Sequence, residues 1–77
     1  METFVTKDIS IAAFLLSTEE VRLIKNEKTS HNIVFFHFSP KNRAEELVTL
    51  YWSDSVKVSP RKIMSSFRSL KDLIFGN

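Results

Sequence analysis

The sequence predicts a small α+β domain in which an antiparallel hairpin packs against helices, in the order α-β-β-α-(β)-α. Three observations carry this prediction. Ile33-Val34-Phe35-Phe36-His37-Phe38 is rich in branched and aromatic residues, the side chains that suit a pleated, half-buried surface. A polar stretch, residues 26–32, joins it to a second branched run, Val21-Arg22-Leu23-Ile24-Lys25, as a hairpin loop would. Two Ser-Pro pairs, Ser39-Pro40 and Ser59-Pro60, each precede a segment with apolar residues at helical spacing.

The elements follow in order. Thr6 or Asp8 can cap a first helix, because either side chain accepts from the free N–H groups of a first turn. Ile9, Ala12, Ala13 and Leu16 form one stripe, widened by Ile11, Phe14 and Leu15, so this helix is expected to be covered on most sides and to end near Ser17. On the main strand Val34, Phe36 and Phe38 point one way, and Ile33, Phe35 and His37 the other. One face packs on helices, and the other needs a cover, a partner or a ligand. After Ser39-Pro40, Ala44, Leu47, Val48 and Tyr51 share a buried face, while Asn42, Glu45, Glu46 and Thr49 lie opposite and Leu50 and Trp52 sit on the flanks. Val56-Lys57-Val58 reads as a short third strand or an extended link. After Ser59-Pro60, Ile63, Phe67, Leu70 and Ile74 make the core stripe of a last helix that Gly76 stops.

Length and composition bound the function. A chain of 77 residues without a Gly- or Ser-rich linker, a repeat or a low-complexity tract is read as one domain, 1–77, with a thin core. The absence of cysteine excludes disulfides, thiolate metal sites and thiol nucleophiles. A net charge of +2 is far from the charge density of a histone-like protein. The apolar run from Ile9 to Leu16 follows Lys7 and superficially resembles a signal peptide. However, Glu2 and Asp8 are acidic and no small-x-small cleavage pattern follows. It is also too short to span a bilayer, which takes about 20 residues. The expected compartment is the cytoplasm, with no membrane association.

Several chemistries lack their residues. Phosphate-cradling loops need several glycines, and only Gly76 exists. His31 and His37 stand six apart and match no metal motif, so they read as a loop-tip histidine and a strand histidine with a polar neighbour. Glu45 and Glu46 point about 100° apart on a helix and do not converge as an acid/base pair. The expectation is a protein that is not an enzyme, with no metal, no cofactor and no evident small-molecule substrate.

Two constellations remain. Arg61, Lys62, Arg68 and Lys71 lie on the last helix, with Lys57 just before it. Arg61 and Arg68 share a face and Ser65 and Ser69 add hydroxyl groups, a set suited to phosphate oxygens. The bland alternative is a solvated helix face with Asp72 offsetting Arg68. Lys25, Lys28, Lys41 and Arg43 would extend a basic strip if the fold brought them to the last helix. The second constellation is apolar: Ile33 and Phe35 on the outer hairpin face, with Trp52 as an anchor at the helix edge.

The order Thr6-Lys7-Asp8, Ala12-Ala13-Phe14-Leu15, the aromatic strand from Val34 to Phe38, Glu46-Leu47, Tyr51-Trp52, Val56-Lys57-Val58 and Leu70-Lys71-Asp72-Leu73-Ile74-Phe75 resembles a family of small uncharacterised bacterial and phage domains, known only as a domain of unknown function. The resemblance runs from about Phe4 to Phe75. It implies a stand-alone α+β module of mobile-element or phage context and assigns no activity and no functional residues. Similar sequences often carry a glycine in the link after the first helix, where this chain has Ser17-Thr18-Glu19-Glu20.

Two functions are therefore expected. In the first, the protein is a small bacterial or phage accessory protein that binds DNA or RNA, with Lys57, Arg61, Lys62, Arg68 and Lys71 on phosphates and Phe35 and Trp52 stacking. In the second, it is a protein-interaction module, a homodimer or a phage-encoded inhibitor of a host protein, with Ile33, Phe35 and Trp52 at the interface. A contiguous basic strip favours the first. Mixed charges around an apolar patch favour the second.

Overall fold

A computed structural model describes residues 2–29, 31, 33–54 and 58–75. The elements are β1 (Phe4–Thr6), α1 (Ile9–Thr18), β2 (Arg22–Lys28), β3 (Val34–Ser39), α2 (Lys41–Trp52) and α3 (Pro60–Phe75). The strands form one antiparallel sheet in the order β1-β3-β2. The architecture is α+β, as the sequence predicts, with a short N-terminal strand in addition.

The aromatic strand is the middle of the sheet. Phe36 and Phe38 are buried on its inner face, opposite Thr6 and Phe4 of β1 and Asn26 and Leu23 of β2. A bulge between Leu23 and Lys25 leaves Ile24 exposed. α1 carries Ile11, Ala12, Ala13, Phe14 and Leu15 buried in succession, which requires cover all round: α3 packs along it, and α2 and the sheet close the other sides. The α2 stripe buries Ala44 and Leu47 and half-buries Val48 and Tyr51; the α3 stripe buries Leu70 and half-buries Ile63, Phe67 and Ile74.

The caps follow from local chemistry. Asp8 is the N-cap of α1: its Oδ1 accepts from the amides of Ser10 (2.9 Å) and Ile11 (3.3 Å) and from the Ser10 hydroxyl (2.6 Å). The Ser10 hydroxyl holds the Asp8 carboxyl below its ordinary value; partial burial opposes this, and the amides of Ile11 and Ser10 add to it. The buried Ser17 hydroxyl donates to the Phe14 carbonyl at 2.6 Å. α1 ends at Glu19 in the left-handed conformation (φ 60°).

Three expectations are corrected. Phe4–Thr6 is a strand, and Thr6 is not the helix cap; its hydroxyl accepts instead from the Asp8 amide at 3.1 Å. β2 runs to Lys28, three residues past the expected strand end, because an exposed edge strand tolerates Asn26, Glu27 and Lys28. Pro40, after a cis Ser39-Pro40 bond, is itself the N-cap of α2 and not its first helical residue; Ser39 belongs to β3. Pro60, by contrast, opens α3 at the first position, with the Ile63 amide donating to the Ser59 carbonyl. Val56 and Lys57 of the expected third strand, and the helix-stopping Gly76, lie outside the described residues.

Candidate functional site

α3 presents its cations outward. Arg61, Lys62, Arg68 and Lys71 are all exposed. Lys62 reaches Glu19 at 3.4 Å, tying α3 to the end of α1. Lys71 lies 5.8 Å above the Phe67 ring. Among the described residues Arg61 and Arg68 form no ion pair, and the i,i+4 pair of Arg68 with Asp72 is not made. Lys57, the fifth cation of this set, lies outside the described residues.

The cations expected to extend the strip are engaged elsewhere. Lys25 lies 3.8 Å from Glu27, and Lys41 lies 3.8 Å from Glu2. The Arg43 guanidinium donates to Glu20 (2.8 Å from Nε) and to Glu46 (3.2 Å), which raises its already high pKa. Glutamates thus punctuate the basic surface.

The three interface candidates fall on different surfaces. Phe35 is half-buried on the outer sheet face beside His37. There the His37 ring bridges Glu27 Oε1 (2.6 Å from Nε2) and Thr3 Oγ1 (3.3 Å from Nδ1), so this face carries its own polar cluster. Ile33 lies just before β3, where pleat alternation no longer applies, and turns to the inner side. Trp52, 68% exposed, ends α2, edge-on to Tyr51, whose ring in turn lies 4.8 Å from that of Phe14.

Ile33 belongs to a feature that the sequence did not disclose. A groove of about 850 Å³ opens between the hairpin end of the sheet and the C-terminal end of α3. Val34 and Phe36 floor it, Ile33 and Phe75 flank it, and Lys7 and Lys28 stand at its rim. Asp8 also lines it, with its carboxylate committed to the α1 cap. Phe75 is 75% exposed and Leu73 55%, on either side of the groove-lining Ile74. The volume is in the range of about 300–1,000 Å³ common for ligand sites. Its residues come from the link before α1, the hairpin and the last turn of α3, so no local motif signals it.

The family model described as a domain of unknown function (DUF5659) matches residues 1–76. The chain belongs to this family. No curated protein and no solved structure matches the DUF5659 chain. Among its described residues no three His, Cys, Asp or Glu side chains gather as a metal site, and no helix is long and apolar enough to cross a membrane.

Proposed function

We propose that this DUF5659 domain is a non-enzymatic module that acts in the cytoplasm and binds another protein through the apolar groove at the C-terminal end of α3. One observation carries the reading: a concavity floored by core side chains is flanked by large apolar side chains left in water, with Phe75 the most exposed of them. Covering such surface recovers about 25 cal/mol per Å², and an apolar patch with a polar rim is the usual mark of an interaction site. Glutamates interrupt the basic surface that nucleic-acid binding would use.

Photo-crosslinking tests this reading. A photoreactive benzoylphenylalanine replaces Phe75 in cells that naturally make the protein, with Glu45 on the solvated face of α2 as the control position. The expected product is an adduct at position 75 alone that resists nuclease and is digested by protease. Nuclease-sensitive adducts, equal adducts at both positions, or none would overturn the proposal.

A second reading rests on a different observation: Arg61 and Arg68 point outward from α3 without an acidic partner among the described residues. It has the helix binding DNA or RNA phosphates.

A further inference from the structure

We infer that the free edge of β2 docks an extended acidic segment of a partner protein. The inference rests on the protein-interaction reading and specifies its partner. Among the described residues β2 pairs with β3 on one side only. Along Arg22–Lys28 its other side offers main-chain N–H and C=O groups to a further strand.

The pleat decides what such a strand meets. Asn26 and Lys28 lie opposite Phe36 and Val34, on the inner face; Lys25 and Glu27 lie opposite His37 and Phe35, on the outer face. Beside the edge on the inner face is a smaller depression of about 160 Å³, lined by Asn26, Lys28, Val34, Leu73 and Ile74, which shares Lys28, Val34 and Ile74 with the main groove. A strand added to β2 turns every second side chain toward this depression, where the half-exposed Leu73 covers an apolar residue and Lys28 meets an acidic one. The intervening side chains stand on the outer face beside Lys25.

Charge selects the occupant. Arg22 and Lys28 form no ion pair among the described residues, and Lys25 only approaches Glu27 at 3.8 Å. The edge is therefore net positive, and acidic residues on an incoming strand complement it. A second copy is the poorer occupant. Pairing β2 with itself would gather Arg22, Lys25 and Lys28 from both copies against one Glu27 from each. The bulge at Ile24 interrupts the edge, and the edge lysines repel an identical strand. Residues 25–28 remain as the regular stretch for a strand of opposite charge.

The test selects random displayed peptides on the intact protein and maps the best binder by amide shifts and hydrogen exchange. The expected sequences are acidic with an apolar residue placed to meet Leu73, and the shifts and slowed exchange concentrate in Arg22–Lys28. Lys28→Glu is expected to weaken binding about tenfold with an unchanged circular dichroism spectrum, and Leu73→Asp to weaken it independently. Failure to enrich such peptides, or binding indifferent to Lys28→Glu, would overturn the inference. Peptides that map to Phe75 while β2 stays unaffected would remove strand addition and leave the groove reading intact. Concentration-dependent dimerisation abolished by Lys28→Glu would give the edge to a second copy and equally overturn it.

Discussion

His37 Nε2 lies 2.6 Å from Glu27 Oε1 across the outer face of the sheet. A carboxylate only accepts, so Nε2 carries the proton, and in the neutral ring Nδ1 accepts from the Thr3 hydroxyl at 3.3 Å. The ring thereby joins the edge strand, the central strand and the segment leading into β1. Glu27→Ala is expected to lower stability by about 0.5–1.5 kcal/mol, the usual net worth of an intramolecular hydrogen bond. In a His37→Ala background the same change should cost markedly less. Urea denaturation of the four proteins reads the coupling; equal costs in both backgrounds would show that the pair contributes nothing.

The α1 cap makes stability depend on acid. The Asp8 carboxyl is held below its ordinary value chiefly by the Ser10 hydroxyl. A carboxyl depressed in the folded state contributes stability above its unfolded pKa, and the contribution is lost as pH falls through the folded value. Asp8→Ala should therefore cost about 1 kcal/mol at pH 7, and the gap between variant and wild type should narrow steadily below about pH 4. Asp8→Asn keeps a neutral acceptor and should show a flatter pH dependence. A gap for Asp8→Ala that is constant from neutral to strongly acidic pH would show that the carboxylate form is not what caps the helix.

Glu19 ends α1 at φ 60°, a conformation that costs a residue with a Cβ about 1–2 kcal/mol. Glycine removes that cost and gives back part of it through the greater freedom of the unfolded chain. Glycine also removes the ion pair with Lys62, but that pair joins two exposed side chains and is worth little. Glu19→Gly is therefore expected to raise stability by about 0.5–1 kcal/mol, read as a higher urea midpoint with an unchanged slope. A lower midpoint would mean that the tie to α3 outweighs the backbone.

What the sequence disclosed and what it hid divide along physical lines. α2 and α3 were legible because Ala44, Leu47, Val48 and Tyr51, and likewise Ile63, Phe67, Leu70 and Ile74, repeat at the period of a buried helical face. The inner positions of β3 were legible for the same reason at period two, and Phe36 and Phe38 are both buried. β1 was not, because Phe4–Thr6 is too short to show any period. The end of β2 was not, because an exposed edge strand needs no apolar residues, and Asn26-Glu27-Lys28 looks like a loop. The charge pattern was hidden by distance along the chain: Arg43 meets Glu20, and Lys62 meets Glu19, across stretches no local motif spans. The groove was hidden likewise, since Lys7, Ile33 and Phe75 meet only when three separate segments are packed.

The outward cations of α3 provide the clearest separation of the two functional readings. Arg61 and Arg68 stand seven apart on one face of α3, free of acidic partners among the described residues. If they contact phosphates, labelled single-stranded DNA, duplex DNA or RNA should bind saturably and weaken as salt rises, by counterion release. Arg61→Glu with Arg68→Glu should then remove binding and flatten the salt slope. Both side chains are exposed, so the double variant should keep its fold and its stability within about 0.5 kcal/mol. The protein-interaction reading predicts the reverse: fluorescence anisotropy at low salt shows no saturable binding to any of the three, and the charge reversals leave crosslinking at position 75 unchanged. Lys62 sharpens the comparison, because Glu19 already occupies it at 3.4 Å. Lys62→Glu should weaken phosphate binding less than either arginine reversal, whereas equal losses at all three positions would indicate a diffuse charge effect and no helix-face site.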